Sequence, residues 1–377
     1  MRVSLLSENL QKKINFVNHA ISTKSQLPIL LNIFMEAKDG KFSISTTDLE
    51  IGIIIEVPAK IEEEGAITVP AKTFTELVST IPAGKISLET TPEGLSLVGE
   101  KTKTFFQTTP AEEFPKLYEE KGKEVMVLKK DSVENDFSKV AFAASIDSER
   151  PALSGVLVRE EGDGFLMVAT DGYRLSLKRQ ALNSIKKEKG EGDISMLVPA
   201  RVIRELVQAG KDIMHEDVGV FISKEKNQII FSQGETTLIG RLIEAEFPNY
   251  EKIIPTDFST KTIFERQDLQ KAIKASYVFA RQTAGIVKLS IGKNKITVSA
   301  NAPSVGSNTV EIDAKTDGEE NDIAFNARYL LDCLANSTSE TMSFEMTGPL
   351  NPGVFKEADD PSFMHLIMPI RVQQESE

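Results

Sequence analysis

A chain of 377 residues is too long for one ordinary core and implies two or three domains. Its 40% hydrophobic and 27% charged residues fit a soluble globular protein, and no run reaches the roughly 18–20 apolar residues of a membrane span or resembles a signal peptide. The lone Cys333 excludes an intrachain disulfide and leaves no cysteine-based zinc site, so the expected compartment is cytoplasmic; the formal net charge of −12 taken alone argues against nucleic acid, although 44 basic residues can still gather on one surface.

The first element with a clear period is a helix on which Leu10, Ile14, Val17 and Ile21 share one face, with Lys12, Asn15 and His19 opposite. A strand-like FSISTTD (42–48) follows. VPAKTFTELV (69–78) then puts a short apolar strand before a small residue, a basic residue and a helical apolar stripe. ISLETTPEGLSLVG (86–99) alternates like strands joined by a turn. Charge and proline interrupt the pattern at KLYEEKGKEV (116–125), a boundary signal.

The same order then recurs. Val133, Phe137, Val140 and Ala144 repeat the helical stripe behind Asp131 and Ser132, either of which suits an N-cap, with Asn135 and Lys139 on the outer side. LMVATD (166–171), VPARVIRELV (198–207) and the alternating GVFISKEKNQIIFSQ (219–233) follow, and YEKIIPTDFS (250–259) marks a second boundary. In the last third Leu269, Ile273 and Tyr277 form the stripe behind Arg266-Gln267-Asp268, with Gln267, Lys271 and Lys274 outward and Arg281 one turn on. ITVSAN (296–301) and FNARYLLDCL (325–334) complete the third copy. A period of about 128 residues is far longer than a solenoid repeat and indicates triplicated domains. The expected architecture is α+β: three strand-rich domains with two helices each, over 1–122, 126–252 and 256–377.

Lys72, Arg201 and Arg328 occupy one equivalent position in the three copies, and Arg204 adds a charge one turn on. A solvated helix face is often basic, but a repeated basic position in an acidic chain points to a surface that attracts phosphate. With no Trp and five Tyr there is no aromatic platform for single-strand stacking, and no helix start is arranged to read a groove. Backbone contact without sequence readout fits better.

No constellation for catalysis emerges. GLSLVGEKT (94–102) fails as a phosphate loop because Glu100 precedes Lys101 in a strand-like run. His19, His215 and His365 fall in different repeats without metal-ligand spacing, and Cys333 lies on an apolar stripe. EAEF (244–247) and DGEEND (317–322) match neither an acid/base pair nor a calcium loop. The expectation is a non-enzyme without cofactor or metal.

Four motifs, in order across nearly the full length, carry a resemblance. ATDGYRL (169–175), LPILLNI (27–33), FPNY (247–250) and HLIMPIRV (365–372) resemble segments of the bacterial DNA sliding clamps, the beta subunit of DNA polymerase III. The resemblance implies a head-to-tail homodimer whose six domains close into a ring around duplex DNA, with helices lining the hole. It implies a processivity role with the replicative polymerase, the clamp loader, and other polymerases and repair proteins as partners. Candidate DNA contacts are Lys24, Lys72, Arg201, Lys271 and Lys274. Arg150 joins them, although the family often carries tyrosines just after this point, where Pro151 and Ala152 follow here.

The resemblance also implies a pocket between the second and third domains for short apolar partner peptides. Its wall is carried over as Leu153, Thr170, Gly172, Tyr173, Arg174, Leu175, Pro248, Ile253, Leu366, Met368, Pro369, Ile370 and Arg371. Tyr173 stands where relatives often carry His, and the polar tail Gln373 to Glu377 continues past the pocket residues. For the dimer seam the candidates are Phe105 and Phe106 on one side and Val278 and Phe279 on the other, any of which serves equally as intradomain core. The alternative function is a clamp-like scaffold that binds proteins without encircling DNA.

Overall fold

The computed structural model describes residues 1–22, 27–118, 121–147, 149–162, 164–181, 194–213, 216–223 and 227–371. Lys24, His215 and the tail Gln373 to Glu377 lie outside these. The described residues form two compact units, one from 1–134 and 204–242, the other from 135–203 and 243–371.

The first unit holds two antiparallel sheets. Five strands run in the order Ala59–Glu63, Arg2–Leu6, Lys85–Thr91, Gly94–Val98 and Lys103–Phe106. Eight run from Lys123–Leu128 through Val218–Ser223, Gln228–Gln233, Thr236–Arg241, Ile51–Val57, Lys41–Thr47 and Asn32–Lys38 to Gly65–Pro70. Helices Ser7–Val17 and Ala71–Thr80 bury Leu10, Ile14, Val17, Phe74 and Val78, each at 0% exposure, while Ile21, the last member of the predicted first stripe, lies beyond the helix and is half-buried. Lys12, Asn15 and Lys72 stay exposed. Each buried Leu, Ile or Phe contributes about 1.5–3 kcal/mol of transfer free energy.

The second unit is built on one twelve-stranded antiparallel sheet. Its order is Ser195–Pro199, Gly155–Glu161, Gly164–Thr170, Arg174–Ala181, Phe363–Ile367, Gly353–Glu357, Thr341–Met346, Thr260–Glu265, Gly306–Gly318, Lys295–Ala302, Ile286–Ile291 and Asn321–Asn326. Helices Arg266–Ala280 and Ala327–Asn336 cover the last part, burying Leu269, Ile273, Leu330 and Cys333 against Phe325 and Phe344.

The units do not follow the thirds of the sequence, and the sheets show why. Ile51–Val57 from the first third pairs with Thr236–Arg241 from the second, and Arg174–Ala181 from the second pairs with Phe363–Ile367 from the third. Main-chain ladders cross both expected boundaries, so the middle third contributes strands to both units.

One predicted helix differs. Of the stripe Val133, Phe137, Val140, Ala144, two members lie on two short helices, Val133 on Lys130–Asn135 and Val140 on Ser138–Ala141, with Phe137 in the break between them and Ala144 beyond the second. The first begins at Lys130, so Asp131 and Ser132 sit inside its first turn and neither stands at the N-cap position. Lys139, expected on the outer face, is 3% exposed. Its Nζ lies 2.6 Å from Glu357 Oε2 and 3.0 Å from Asp360 Oδ2, and carboxylates from the distant last third draw it inward.

Candidate functional site

In the second unit a tight loop between Gly164–Thr170 and Arg174–Ala181 is held by its own side chains. Thr170 Oγ1 donates to the Arg174 carbonyl at 2.6 Å and accepts from Gly172 N at 3.0 Å. Asp171 Oδ1 accepts from Tyr173 N at 2.9 Å and Arg174 N at 3.0 Å. Gly172 takes φ +91°, a left-handed conformation that favours glycine and lets the loop turn sharply. The C-terminal segment joins this loop beyond its strand, where Met368 N donates to the Tyr173 carbonyl at 2.9 Å.

Below the loop, Leu166, Val168, Leu175, Leu177, Val354 and Leu366 form a buried cluster. The linker packs onto it through Phe247, Tyr250 and Ile254, with Tyr250 6% exposed. Tyr250 Oη accepts from Arg159 Nη2 at 3.2 Å. Apolar side chains remain at the surface above: Tyr173 is 60% exposed, Ile253 42% and Met368 36%. Pro248 and Arg371 are exposed, and Leu153, Pro369 and Ile370 half-buried. Ile370 N donates to the Ala324 carbonyl at 2.8 Å, fixing the segment that follows the strand.

Three predicted wall residues are placed differently. Leu175 and Leu366 face each other across the Arg174–Ala181 and Phe363–Ile367 ladder at 0% exposure, and Thr170 is 5% exposed. Alternation along a strand turns Leu175 and Leu366 inward, into the buried cluster.

Arg174 is the polar anchor. Its guanidinium donates from Nε to Asp171 Oδ2 at 3.1 Å, from Nη1 to Asp332 Oδ2 at 2.6 Å and from Nη2 to the Phe142 carbonyl at 3.1 Å. Its Cζ stands 4.6 Å from the Tyr329 ring centroid and 5.4 Å from that of Phe142. Beneath Phe142, His365 is 0% exposed, with Nδ1 2.6 Å from Ser176 Oγ. Burial, aided by the charge of Arg174, pushes the imidazole down to about 3, so it is neutral at physiological pH. Sequence reasoning found Arg174 and missed Asp332, Tyr329 and Phe142. The run ATDGYRL carries Asp171 as an Asx-turn signal, but nothing local points to residues far along the chain.

The same unit holds a largely buried charge network. Lys178 Nζ is 2.6 Å from Asp360 Oδ2 and 3.4 Å from Asp136 Oδ1, and Lys139 completes it through Asp360 and Glu357. Burial alone would raise the Asp360 carboxyl, but hydrogen bonds from Lys178, Ser362 and Lys139 outweigh it and hold the group well below the usual carboxylate range.

Of the candidate DNA contacts, Lys72, Arg150, Lys271 and Lys274 are exposed and Arg201 is half-buried. Lys72 and Arg201 fall in the first turns of their helices, as does Arg328 in the third copy, where Asn326 Oδ1 accepts from Arg328 N at 2.9 Å. His19 Nδ1 lies 2.6 Å from Glu205 Oε2. At the candidate seam, Phe105 and Val278 are each 50% exposed and Phe279 is half-buried. Phe106 is 5% exposed and its ring packs 5.5 Å from that of Phe74. Successive strand residues face opposite ways, so Phe106 belongs to the core while Phe105 faces out. Among the described residues no group of three or more His, Cys, Asp or Glu side chains is placed to hold a metal ion, and no helix is long and apolar enough to cross a membrane.

Three family models cover almost the whole chain: the DNA polymerase III beta subunit N-terminal domain over 1–118, its central domain over 127–249 and its C-terminal domain over 251–371. The chain belongs to the DNA polymerase III beta subunit family. A beta sliding clamp of Synechocystis sp. is 28% identical over 391 residues, covering 99% of this chain and 100% of that one. The beta subunit from DNA polymerase of Streptococcus pyogenes superposes with a TM-score of 0.91 at 27% identity, over 99% of this chain and 100% of that one. The DNA polymerase sliding clamp from Bacillus subtilis gives 0.91 at 26% identity, over 99% of each. As a member of the beta subunit family, the chain has three tandem clamp domains, rich in strands and poor in helices.

Proposed function

We propose that this protein is a DNA sliding clamp: a head-to-tail homodimer that closes around duplex DNA and tethers the replicative polymerase and other DNA-processing proteins. The observation that carries the reading is the repeated basic position, Lys72, Arg201 and Arg328, at the start of one helix in each third of a chain matched throughout by beta subunit models. Contacts of this kind neutralise phosphates without reading sequence, and topological closure removes any need for them to be tight. Lys24, Arg150, Lys271 and Lys274 are further candidate phosphate contacts. The domains are 1–122, 126–252 and 256–377, and the dimer forms where Phe105 of one protomer meets Val278 and Phe279 of the next.

Partners dock by short apolar peptides in the groove of Leu153, Tyr173, Pro248, Ile253 and Met368, with Gly172, Pro369, Ile370 and Arg371 at its rim. Methionine and proline give a deformable apolar surface suited to several partners. The protein itself catalyses no reaction and works in the cytoplasm. The test is to load it on nicked circular DNA and then linearise the circle. A clamp stays on the circle and runs off free ends. Equal retention on both overturns the ring and favours a scaffold that does not encircle DNA.

A further inference from the structure

The repeats build the same join twice within the chain. Ile51–Val57 of the first copy pairs with Thr236–Arg241 of the second, Gly52 opposite Ile239. Arg174–Ala181 of the second pairs with Phe363–Ile367 of the third, Leu175 opposite Leu366. The third copy has its own version of the first of these strands. Ile33, Val156 and Val287 stand opposite Val69, Val198 and Phe325 of the recurring helix starts. An equal step on from each lie Thr47, Thr170 and Asn301, which face Gly52, Leu175 and Ser307. Ser307 is thus the counterpart of Gly52 and Leu175. Thr260–Glu265 covers its strand only from Ala314 on, so among the described residues the edge before Ala314 has no partner on that side.

The first copy has the other strand. Thr109 bridges to Thr68, as Ile243 N donates to the Leu197 carbonyl and Ile370 N to that of Ala324. An equal step back from these lie Phe105, Ile239 and Leu366. Lys103–Phe106 ends its sheet with one side unpaired among the described residues. Phe105 is 50% exposed where Ile239 is 3% and Leu366 0%.

Charge is alike at the two joins and reversed at the two loose edges. Lys13 of the first copy bonds Glu235 on the hairpin turn of the second, and Lys139 and Lys178 of the second bond Asp360 on the matching turn of the third. In the third copy the places of Lys13, Lys139 and Lys178 fall to Ala272, Ala275 and Val310, counted from the equivalent pairs Leu5–Ile86, Leu128–Val218 and Phe264–Met342 and along the strands above. That edge instead exposes Glu311. In the first copy Lys101 stands where Glu235 does, and Lys103 follows it on the same side of the strand, both exposed. Glu311 also bonds Lys295 on the neighbouring strand at 2.6 Å, an exposed pair that leaves its charge open to a further cation.

We infer that Lys103–Phe106 of one copy pairs antiparallel with Gly306–Thr309 of the next, in the register of the two internal joins, and that the reversed charges select this pairing. The inference rests on reading the protein as a head-to-tail homodimer. The register sets Phe105 opposite Ser307, Thr104 opposite Asn308 and Lys101 opposite Glu311. A Cβ on the adjoining Gly306 would stand 3.8 Å from the Phe279 ring, so the ladder brings Phe105 to the end of the Phe279 helix. A wrong pairing is refused by charge. Lys101 brought against the Lys13 or Lys178 edge meets its like, as does Glu235 brought against Glu311, and like charges across a ladder are destabilising.

Thr104→Cys with Asn308→Cys tests the register on the full chain. Their counterparts His365 and Ser176 touch across the ladder at 2.6 Å, so the two thiols should fall within disulfide reach, while Cys333 is buried. After mild oxidation the double variant should run as a covalent dimer on a non-reducing gel, and each single variant as a monomer. A covalent dimer from either single variant overturns the inference, because like edges then meet. So does a double variant that sediments as a dimer and does not cross-link. Wild type that sediments as a monomer sinks the dimer reading itself. Should either cysteine prevent folding, Thr102→Cys with Val310→Cys, the neighbouring pair in the same register, takes its place. Lys101→Glu and Glu311→Lys should each weaken dimerisation about tenfold, and their combination should restore it. A combination no tighter than either single change overturns the selection by charge.

Discussion

Arg174 Nη1 lies 2.6 Å from Asp332 Oδ2, tying the loop at the head of one strand to the helix Ala327–Asn336. The same guanidinium bonds Asp171 and the Phe142 carbonyl, and the Arg174 side chain is only 10% exposed. Arg174→Ala should lower unfolding stability by about 2–3 kcal/mol in urea melts, because several charge-assisted bonds go at once. Arg174→Lys should recover little of it, since an ammonium cannot span the three acceptors that the planar fork meets.

Met368 and Pro369 follow the strand that carries Leu366, with Met368 exposed and Pro369 half-buried. Met368→Ala with Pro369→Ala should weaken binding of polymerase-tail peptides by tenfold or more, about 1.4 kcal/mol. Sedimentation should show the dimer unchanged. Unaltered peptide affinity removes these residues from the partner site.

Lys139 and Glu357 form an ion pair with side chains 4% and 0% exposed. Glu357 Oε1 also accepts from Thr338 N at 2.5 Å. Lys139→Met leaves a carboxylate buried without its cation and should cost about 3–5 kcal/mol. Lys139→Met with Glu357→Met should cost much less than either change alone, because no charge is then left stranded. A double-mutant cycle by chemical denaturation reads the difference.

His365 and Asp360 set two separate acid transitions. Burial holds His365 down to about 3, so between that value and about 6.5 the unfolded chain binds a proton that the folded chain does not. Stability should therefore fall by about 1.4 kcal/mol per pH unit from this group as pH drops below about 6.5. Asp360 has a depressed folded value, so its contribution is whole above the unfolded carboxylate value of about 3.9 and is lost only below it. His365→Gln should flatten the urea-midpoint profile between pH 6.5 and about 4 and leave the steeper acid limb in place.

What the sequence reveals follows from what is local. Apolar stripes place the helices, and the recurrence of strand-like segments and helix starts reveals three copies. The tight loop is visible through ATDGYRL because it is built from neighbouring residues. Lys139 misled because its outward position follows from its own helix, whereas its burial is decided by Glu357 and Asp360, more than two hundred residues on. Phe105 and Phe106 are adjacent, and period-two alternation separates their roles once the strand is recognised.

Lys271 and Lys274 project from the helix Arg266–Ala280, opposite the buried Leu269 and Ile273. Lys271 pairs with the exposed Asp268 at 3.6 Å, an arrangement too solvated to hold its charge from other contacts. If both lysines face phosphates, each neutralises about one, and the slope of log affinity against log salt falls by about 0.9 for each one removed. Lys271→Ala with Lys274→Ala should thus flatten the salt dependence on open linear duplex by nearly two units, equally for every DNA sequence. Retention on nicked circles should persist at moderate salt, because topology and not affinity keeps a closed ring in place. A salt slope unchanged from the wild type shows that these lysines face away from the DNA.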